Sequence, residues 1–337
     1  MSLHQVCELI GAGVQFGRAL LRGRARLGES PFAYARVLAN ALRPHFFALP
    51  AGAALAGAAS CPDVQNRPAA LAAGIAGLGW GVGQLLNDLL DREADAVDAP
   101  DRPAVKGRLP EGPTMLFAML LGVLLAVLTA TLHPAALWLA VGAATLLVGY
   151  GPAKRVPLLG NLAHGALMGL AAMIGAAAVS PRLALREVLE YAGGTVLVVG
   201  GWAMVYLESN YEKDRKGDSQ AGYCTLANCI GLRASAVLRA VGALVLGLEA
   251  HSLGLLTAPA GRGAMVGAVL LVFWSSSVVL RFGTEHAALV AYRPSVHGAG
   301  LGMLALAYPV CGPVWSIGLA ALNAWLIERA FARSANP

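Results

Sequence analysis

Asn87-Asp88-Leu89-Leu90-Asp91-Arg92-Glu93-Ala94-Asp95 closes an apolar run over residues 68–86. The run has the length of a membrane helix. Carboxylates at the mouth of such a helix are costly to desolvate, so they imply a task. On a helix Asp88, Asp91 and Asp95 fall at i, i+3 and i+7, one face; Asn87, Asp91 and Asp95 fall at i, i+4 and i+8, an overlapping one. Like charges on one stripe repel unless a cation sits among them. Oxygen donors with no His or Cys nearby point to Mg²⁺ rather than zinc. Arg102, Lys106 and Arg108 follow at once. Acid followed by base suits a metal-bound polyphosphate, with the metal bridging carboxylate to phosphate and the cations taking the remaining oxygens. The alternative is a solvated mixed-charge loop that orients the helix by its basic residues.

Outward from this stretch, the whole chain is apolar: 57% hydrophobic and 13% charged, with a mean hydropathy of +0.62. It has too little polar surface to cover a water-facing sphere and reads as an all-α polytopic membrane protein. Its net charge of +6 is explained by topology and anionic lipid, not by nucleic acid. Five scattered cysteines with no Cys-x-x-Cys indicate neither a disulfide framework nor a zinc site.

Residues 1–34 lack a secretory h-region. Residues 9–21 have amphipathic spacing with arginines behind them, either an interfacial helix or a basic tail. Residues 35–331 read as one transmembrane domain and 332–337 as a tail. Apolar segments at 37–59, 68–90, 114–132, 134–150, 161–179, 188–211, 234–256 and 264–282 are predicted to span the membrane. A last segment from 297 to 328 contains Pro309 and Pro313. It is either one kinked helix or a ninth and a tenth. Gly74-x-x-Gly77 and Gly165-x-x-x-Gly169 are predicted to permit close helix packing. Lys and Arg concentrate in alternate loops, which places the N-terminus and both acidic stretches in the cytoplasm, as in a bacterial inner membrane.

A second acidic stretch follows the sixth segment, from Glu208 to Asp218. Asp214 and Asp218 share a helical face, and the charge bias puts them on the same side as Asp88 to Asp95. Two carboxylate sets at equivalent helix ends, each beside Lys or Arg, form two halves of a metal–diphosphate site.

Asn87-Asp88-x-x-Asp91-x-x-x-Asp95 with Arg102-Pro103-x-x-x-Gly107-Arg108 resembles the first signature of the UbiA-type intramembrane prenyltransferases. Asp214-x-x-x-Asp218 resembles the second, and Arg43-Pro44, Tyr150, Lys154, Gly160 and Asn161 resemble the family's usual surroundings. The resemblance implies nine helices around a central cavity, and Mg²⁺-dependent transfer of an isoprenoid from an allylic diphosphate to a lipophilic, often aromatic, acceptor. Tyr211 departs from it, standing where some members carry a further acid.

On this reading Asn87, Asp88, Asp91, Asp95, Asp214 and Asp218 hold the metal, with Asp88, Asp91, Asp214 and Lys154 central to catalysis. Arg43, Arg102, Lys106, Arg108 and Lys154 bind diphosphate, and Tyr211 meets the acceptor. Arg43 and Lys154 are alternatively topology anchors. Glu93, Glu208 and Glu212 are expected to order the surroundings of the site. Trp80, Trp202, Phe46 and Phe47 either shield an allylic cation or pack, and the histidines are read as structural. The partners are an allylic prenyl diphosphate, a lipophilic acceptor and membrane lipid. A terpene cyclase of the same fold, or a non-aromatic acceptor, would leave the same marks around the diphosphate. A transporter would carry its acids near the bilayer midplane instead.

Overall fold

The structure, a computed structural model, describes residues 31–333. The expected interfacial segment at 9–21 and residues 334–337 of the tail lie outside the described residues. The described chain is a bundle of helices without strands. In order they are α1 (Pro31–Ala41), α2 (Ala48–Ala59), α3 (Asn66–Leu90), α4 (Arg92–Asp98), α5 (Glu111–Leu132), α6 (Ala136–Ala153) and α7 (Leu159–Val179). They continue with α8 (Leu185–Lys213), α9 (Arg215–Gln220), α10 (Leu226–Ile230), α11 (Leu232–Ser252), α12 (Pro259–Phe282) and α13 (Glu285–Arg333). Among the described residues, seven of these are long and apolar enough to cross a membrane: α3, α5, α6, α7, α8, α12 and α13.

The first expected span, 37–59, is not one helix. Arg43 adopts φ 52°, ψ 60°, and a short 3₁₀ turn, Pro44–Phe46, separates α1 from α2. Proline disfavours a helical conformation in the residue before it and has no N–H to give. An unbroken apolar pattern cannot reveal such a break. Its effect is to turn Arg43 off the helix path and onto Asp88.

α2 and α7 meet backbone to backbone at the centre of the bundle. A Cβ on Gly175 would stand 1.8 Å from the Ala54 carbonyl oxygen, and one on Gly57 1.9 Å from that of Ala172. Small residues let membrane helices approach this closely, where dispersion contacts replace a missing hydrophobic drive. The expected Gly165 and Gly169 pack on α8, and a Cβ on Gly165 would stand 2.9 Å from the Gly200 carbonyl oxygen. Gly77 meets Phe47 at 3.4 Å, while Gly74 meets nothing.

α13 is a hairpin rather than a straight rod. Gly312 breaks it with φ 64°, ψ −179°, a region essentially reserved for glycine. Beyond it the chain folds back on itself. Arg293 and His297 both pair with Glu328, and the Tyr292 and Phe331 rings are 5.8 Å apart. Next to the turn, Val310 packs with Cys61 and Val188 at the end of the bundle remote from both acidic stretches. The limb at 313–333 therefore returns to the side from which 285–311 set out.

Candidate active site

The two acidic stretches are built alike. α3 and α8 each end in one aspartate outside helical geometry: Asp91 at φ −95°, ψ 18°, and Asp214 at φ −95°, ψ 10°. This bridge conformation is sparsely populated overall and frequent at active sites. Each aspartate then opens a short helix, α4 or α9, and those two pack on each other. The sequence offered only the carboxylates; the matching backbone form is added by the structure.

One cavity of about 120 Å³ joins the halves. Asn87, Asp91 and Asp95 line it from one side, Asp214 and Asp218 from the other, and Arg43, Arg102, Lys154 and Tyr211 complete its polar wall. Asp88, 1% exposed, stands behind that wall, bonded to Arg43 and 3.8 Å from Arg102. Lys106 and Arg108 are exposed and do not line the cavity; Lys106 pairs with Asp101 on the surface.

Acids and bases alternate within the cavity. Lys154 Nζ donates to Asp91 Oδ2 at 2.6 Å, and the Tyr223 hydroxyl donates to Oδ1 at 2.8 Å. Arg102 pairs with Asp95, and Lys213 donates to both oxygens of Asp214 at 2.7 Å. Burial works against the charge on Lys154, yet Asp91, Asp218 and Asp214 outweigh it and hold the ammonium above the ordinary lysine range. Arg102 is raised in the same way, with Asp95, Asp88 and Asp214 overcoming its burial. Burial pushes the Asp95 carboxyl up despite Arg102, and its Oδ2 is buried without a partner. Among the described residues, no three acidic, His or Cys side chains gather closely enough to hold a metal unaided.

Local folding explains these positions. Lys154 caps the C-terminal end of α6, one residue beyond the helix. Its ammonium lies 4.3 Å from the centre of the Tyr223 ring. The Cys224 N–H donates to the Lys154 carbonyl at 2.9 Å, which ties the segment after α9 to the end of α6. Tyr211 packs on Gly160, where a Cβ would sit 2.4 Å from its hydroxyl, and that hydroxyl bonds Tyr150 at 3.1 Å. Glu208 accepts from Asn161 at 2.9 Å and from Ser235 at 2.6 Å. Glu212 pairs with the fully buried Arg239 at 3.0 Å. These bonds tie α8 to α7 and α11 immediately upstream of Asp214.

Away from the acids the cavity is aromatic, lined by Phe46, Trp80, Tyr150, His164 and Tyr206. A second, larger groove of about 660 Å³ lies between α12 and the α13 hairpin, lined by Trp274, Pro294 and Leu301 among others. It holds neither acidic stretch, so its size does not make it the reacting centre.

A profile of the UbiA prenyltransferase family matches residues 46–292, which contain both acidic stretches and all but one of the residues lining the cavity's polar wall. The chain belongs to that family. The UbiA homologue of Aeropyrum pernix superposes with a TM-score of 0.64 at 19% identity, over 79% of this chain and 96% of that one. A UbiA homologue from Archaeoglobus fulgidus, bound to DMAPP and Mg²⁺, gives 0.53 at 15% identity, over 81% of this chain and 98% of that one. At such identities the likeness concerns the fold. Among curated relatives, the digeranylgeranylglyceryl phosphate synthase of Methanospirillum hungatei is 28% identical over 169 residues, 48% of this chain and 57% of its own length. That of Thermococcus gammatolerans is 28% identical over 222 residues, 64% of this chain and 75% of its own. The chain spans little more than half the length of the first of these relatives.

Sequence reasoning missed Tyr223 as a partner of Asp91, and it placed His164 among structural histidines. A lone tyrosine in a loop has no spacing signal. A lone histidine in an apolar helix reads the same whether it faces a cavity or the core.

Proposed function

We propose that this chain is a membrane-embedded prenyltransferase that moves an isoprenoid from an allylic diphosphate, bound with Mg²⁺, to a lipophilic acceptor. The observation that carries this reading is the single cavity lined by Asp91, Asp95, Asp214 and Asp218 together with Arg43, Arg102 and Lys154. The donors fit Mg²⁺: they are hard oxygens, and one, Asp95 Oδ2, is buried and unpartnered. Mg²⁺ takes one or two carboxylates and fills its shell with water and phosphate. A site without a three-carboxylate cage therefore suits an ion that arrives with its diphosphate. Asn87, Asp91, Asp95, Asp214 and Asp218 face the space it would occupy and would hold it directly or through its waters, with Asp88 behind them ordering Arg43; once bound it would neutralise the departing diphosphate.

Charge balance sharpens the proposal. Five carboxylates (Asp88, Asp91, Asp95, Asp214, Asp218) face four cations (Arg43, Arg102, Lys154, Lys213). With all of them ionised, a diphosphate alone, of about three negative charges, meets a site already short of positive charge. Arg43, Arg102 and Lys154 would exchange carboxylate partners for phosphate oxygens, and a divalent ion held by the carboxylates would supply the positive charge they give up there. Arg43, Arg102 and Lys154 then fix the leaving group. The apolar helices exclude water from the allylic cation, and Trp80, Tyr150 and Tyr206 offer it ring faces. The cavity is too small to enclose a long isoprenoid with its diphosphate, so the tail must continue between helices or into lipid.

Residues 35–331 form the catalytic unit on this reading, and the concentration of Arg and Lys in the loops on the side of the site favours a cytoplasmic site. With α1 and α2 taken as one crossing and the hairpin limbs of α13 as two, the described residues make ten crossings, the higher of the two expected counts. For the acceptor, the aromatic compound expected from the family at large has no particular support. The relatives are digeranylgeranylglyceryl phosphate synthases, and similarity to them favours an aliphatic oxygen acceptor.

The decisive experiment is calorimetric binding of geranyl diphosphate to purified protein, with and without Mg²⁺, alongside a product assay. Binding and diphosphate release should require the metal and vanish in Asp91→Ala and in Asp214→Ala, with folding retained. Metal-independent binding, or full turnover in chelator, would refute the proposal. A prenyl-derived ring formed without any acceptor would reassign the enzyme as a cyclase.

A further inference from the structure

Two buried polar atoms on the aromatic wall lack partners. Among the described residues, nothing bonds to the Trp80 indole N–H or to His164 Nε2. Their rings stand edge to face, with centroids 5.4 Å apart and planes at 74°. The neighbouring hydroxyls are satisfied: Tyr150 bonds Tyr211 at 3.1 Å, and Tyr206 bonds Tyr292 at 3.1 Å. His164 is only 4% exposed, yet it lines the same cavity as Asp91 and Asp214. A wall serving only an isoprenoid would gain from apolar side chains here. An unmade bond at a buried donor or acceptor is costly, and two such atoms side by side point to a polar ligand. One is a fixed donor. The other accepts in one of its tautomers.

We propose that His164 accepts the proton of an alcohol acceptor whose oxygen is held at the Trp80–His164 wall. This rests on the prenyl transfer proposed above and names its acceptor class. The acceptor oxygen bonds to the allylic carbon while the bond from that carbon to the diphosphate oxygen breaks. The electron pair leaves with the diphosphate. The hydroxyl proton passes to the imidazole and returns to water when the products depart. An alcohol is too weak an acid to lose its proton unaided, and no carboxylate among those described belongs to this wall. An imidazole is a common group for this work.

The test compares His164→Asn and His164→Phe with wild type, using geranyl diphosphate, Mg²⁺ and two acceptors. One is an alkylglyceryl phosphate with a free hydroxyl, the other its thiol counterpart, which ionises far more readily. The expected result is a fall of roughly 100-fold or more in transfer to the alcohol. Transfer to the thiol should fall much less, and geranyl diphosphate affinity should stay within about two-fold, because no contact to the leaving group has been removed. Wild-type alcohol transfer in either variant overturns the proposal. So does an equal loss with alcohol and thiol, or a loss of diphosphate binding together with thermal stability in both variants, since each marks a packing role. A wild-type protein that binds geranyl diphosphate with Mg²⁺ but prenylates no alcohol overturns this inference alone. One that does not bind it overturns the prenyltransferase reading as well.

Discussion

Tyr211 and the pair Lys106 and Arg108 show how differently neighbouring polar residues are used. Tyr211 lies on the cavity wall with its hydroxyl against Tyr150. Tyr211→Phe removes one neutral hydrogen bond, about 1 kcal/mol, and leaves the ring in place. The acceptor-dependent rate should drop while slow hydrolysis of the allylic diphosphate survives. Parallel assays of the two reactions decide this, and unchanged values for both would show that the cavity's other walls choose the acceptor. Lys106 and Arg108 face solvent. Their replacement by alanine should leave the saturating rate within about two-fold and weaken only capture of the anionic substrate, an effect that fades with added salt. A large loss of turnover at high substrate would mean that the loop folds inward during the reaction. The sequence showed that these residues are basic and near the motif. It could not show which way a loop of prolines and glycines points them.

At the scale of elements, the α2–α7 seam holds the two closest approaches at any glycine among the described residues. Gly175→Ala places a methyl 1.8 Å from the Ala54 carbonyl, so two helices must separate. Overpacking of this kind typically costs 1–3 kcal/mol, and here the obstacle is backbone that cannot rotate away. Gly74→Ala, at a position with open space around it, is the control and should be neutral or slightly stabilising. Thermal unfolding in detergent compares the two; equal melting temperatures would show that the seam is loose. The sequence pattern marked Gly74 and Gly165 equally, because small-residue spacing is a property of one helix while the clash belongs to two. The acid-bearing ends of α3 and α8 were legible for the opposite reason: charge beside a long apolar run stands out without knowledge of the partner.

For the whole molecule, the hairpin at Gly312 decides which side the chain finishes on. Its limbs meet at Arg293 and Glu328 near the end that carries the two acidic stretches and turn beside Val310 at the far end. Cysteines introduced as Arg293→Cys and Glu328→Cys in a background lacking the native thiols should cross-link readily under mild oxidation. A cysteine placed at Arg333 should react with the same impermeant reagent, from the same side, as one placed at Lys106. Labelling from opposite sides would restore an odd number of crossings. Composition made the membrane class and the shared side of the two motifs readable, because both follow from where charge is tolerated. The break at Arg43 and the reversal at Gly312 were hidden, because a hydrophobic pattern runs unbroken across each.

The α2–α7 contact also constrains descent. Where two main chains touch, no side chain larger than hydrogen fits at Gly57 or Gly175, so drift at either requires a coordinated retreat of the other helix. α6 presents most of its length outward, with Trp138, Val141 and Val148 exposed, and there almost any apolar residue serves. Lineages that diverge from this sequence should accumulate replacements freely along α6 and hardly at all at the two seam glycines, whatever each lineage comes to bind.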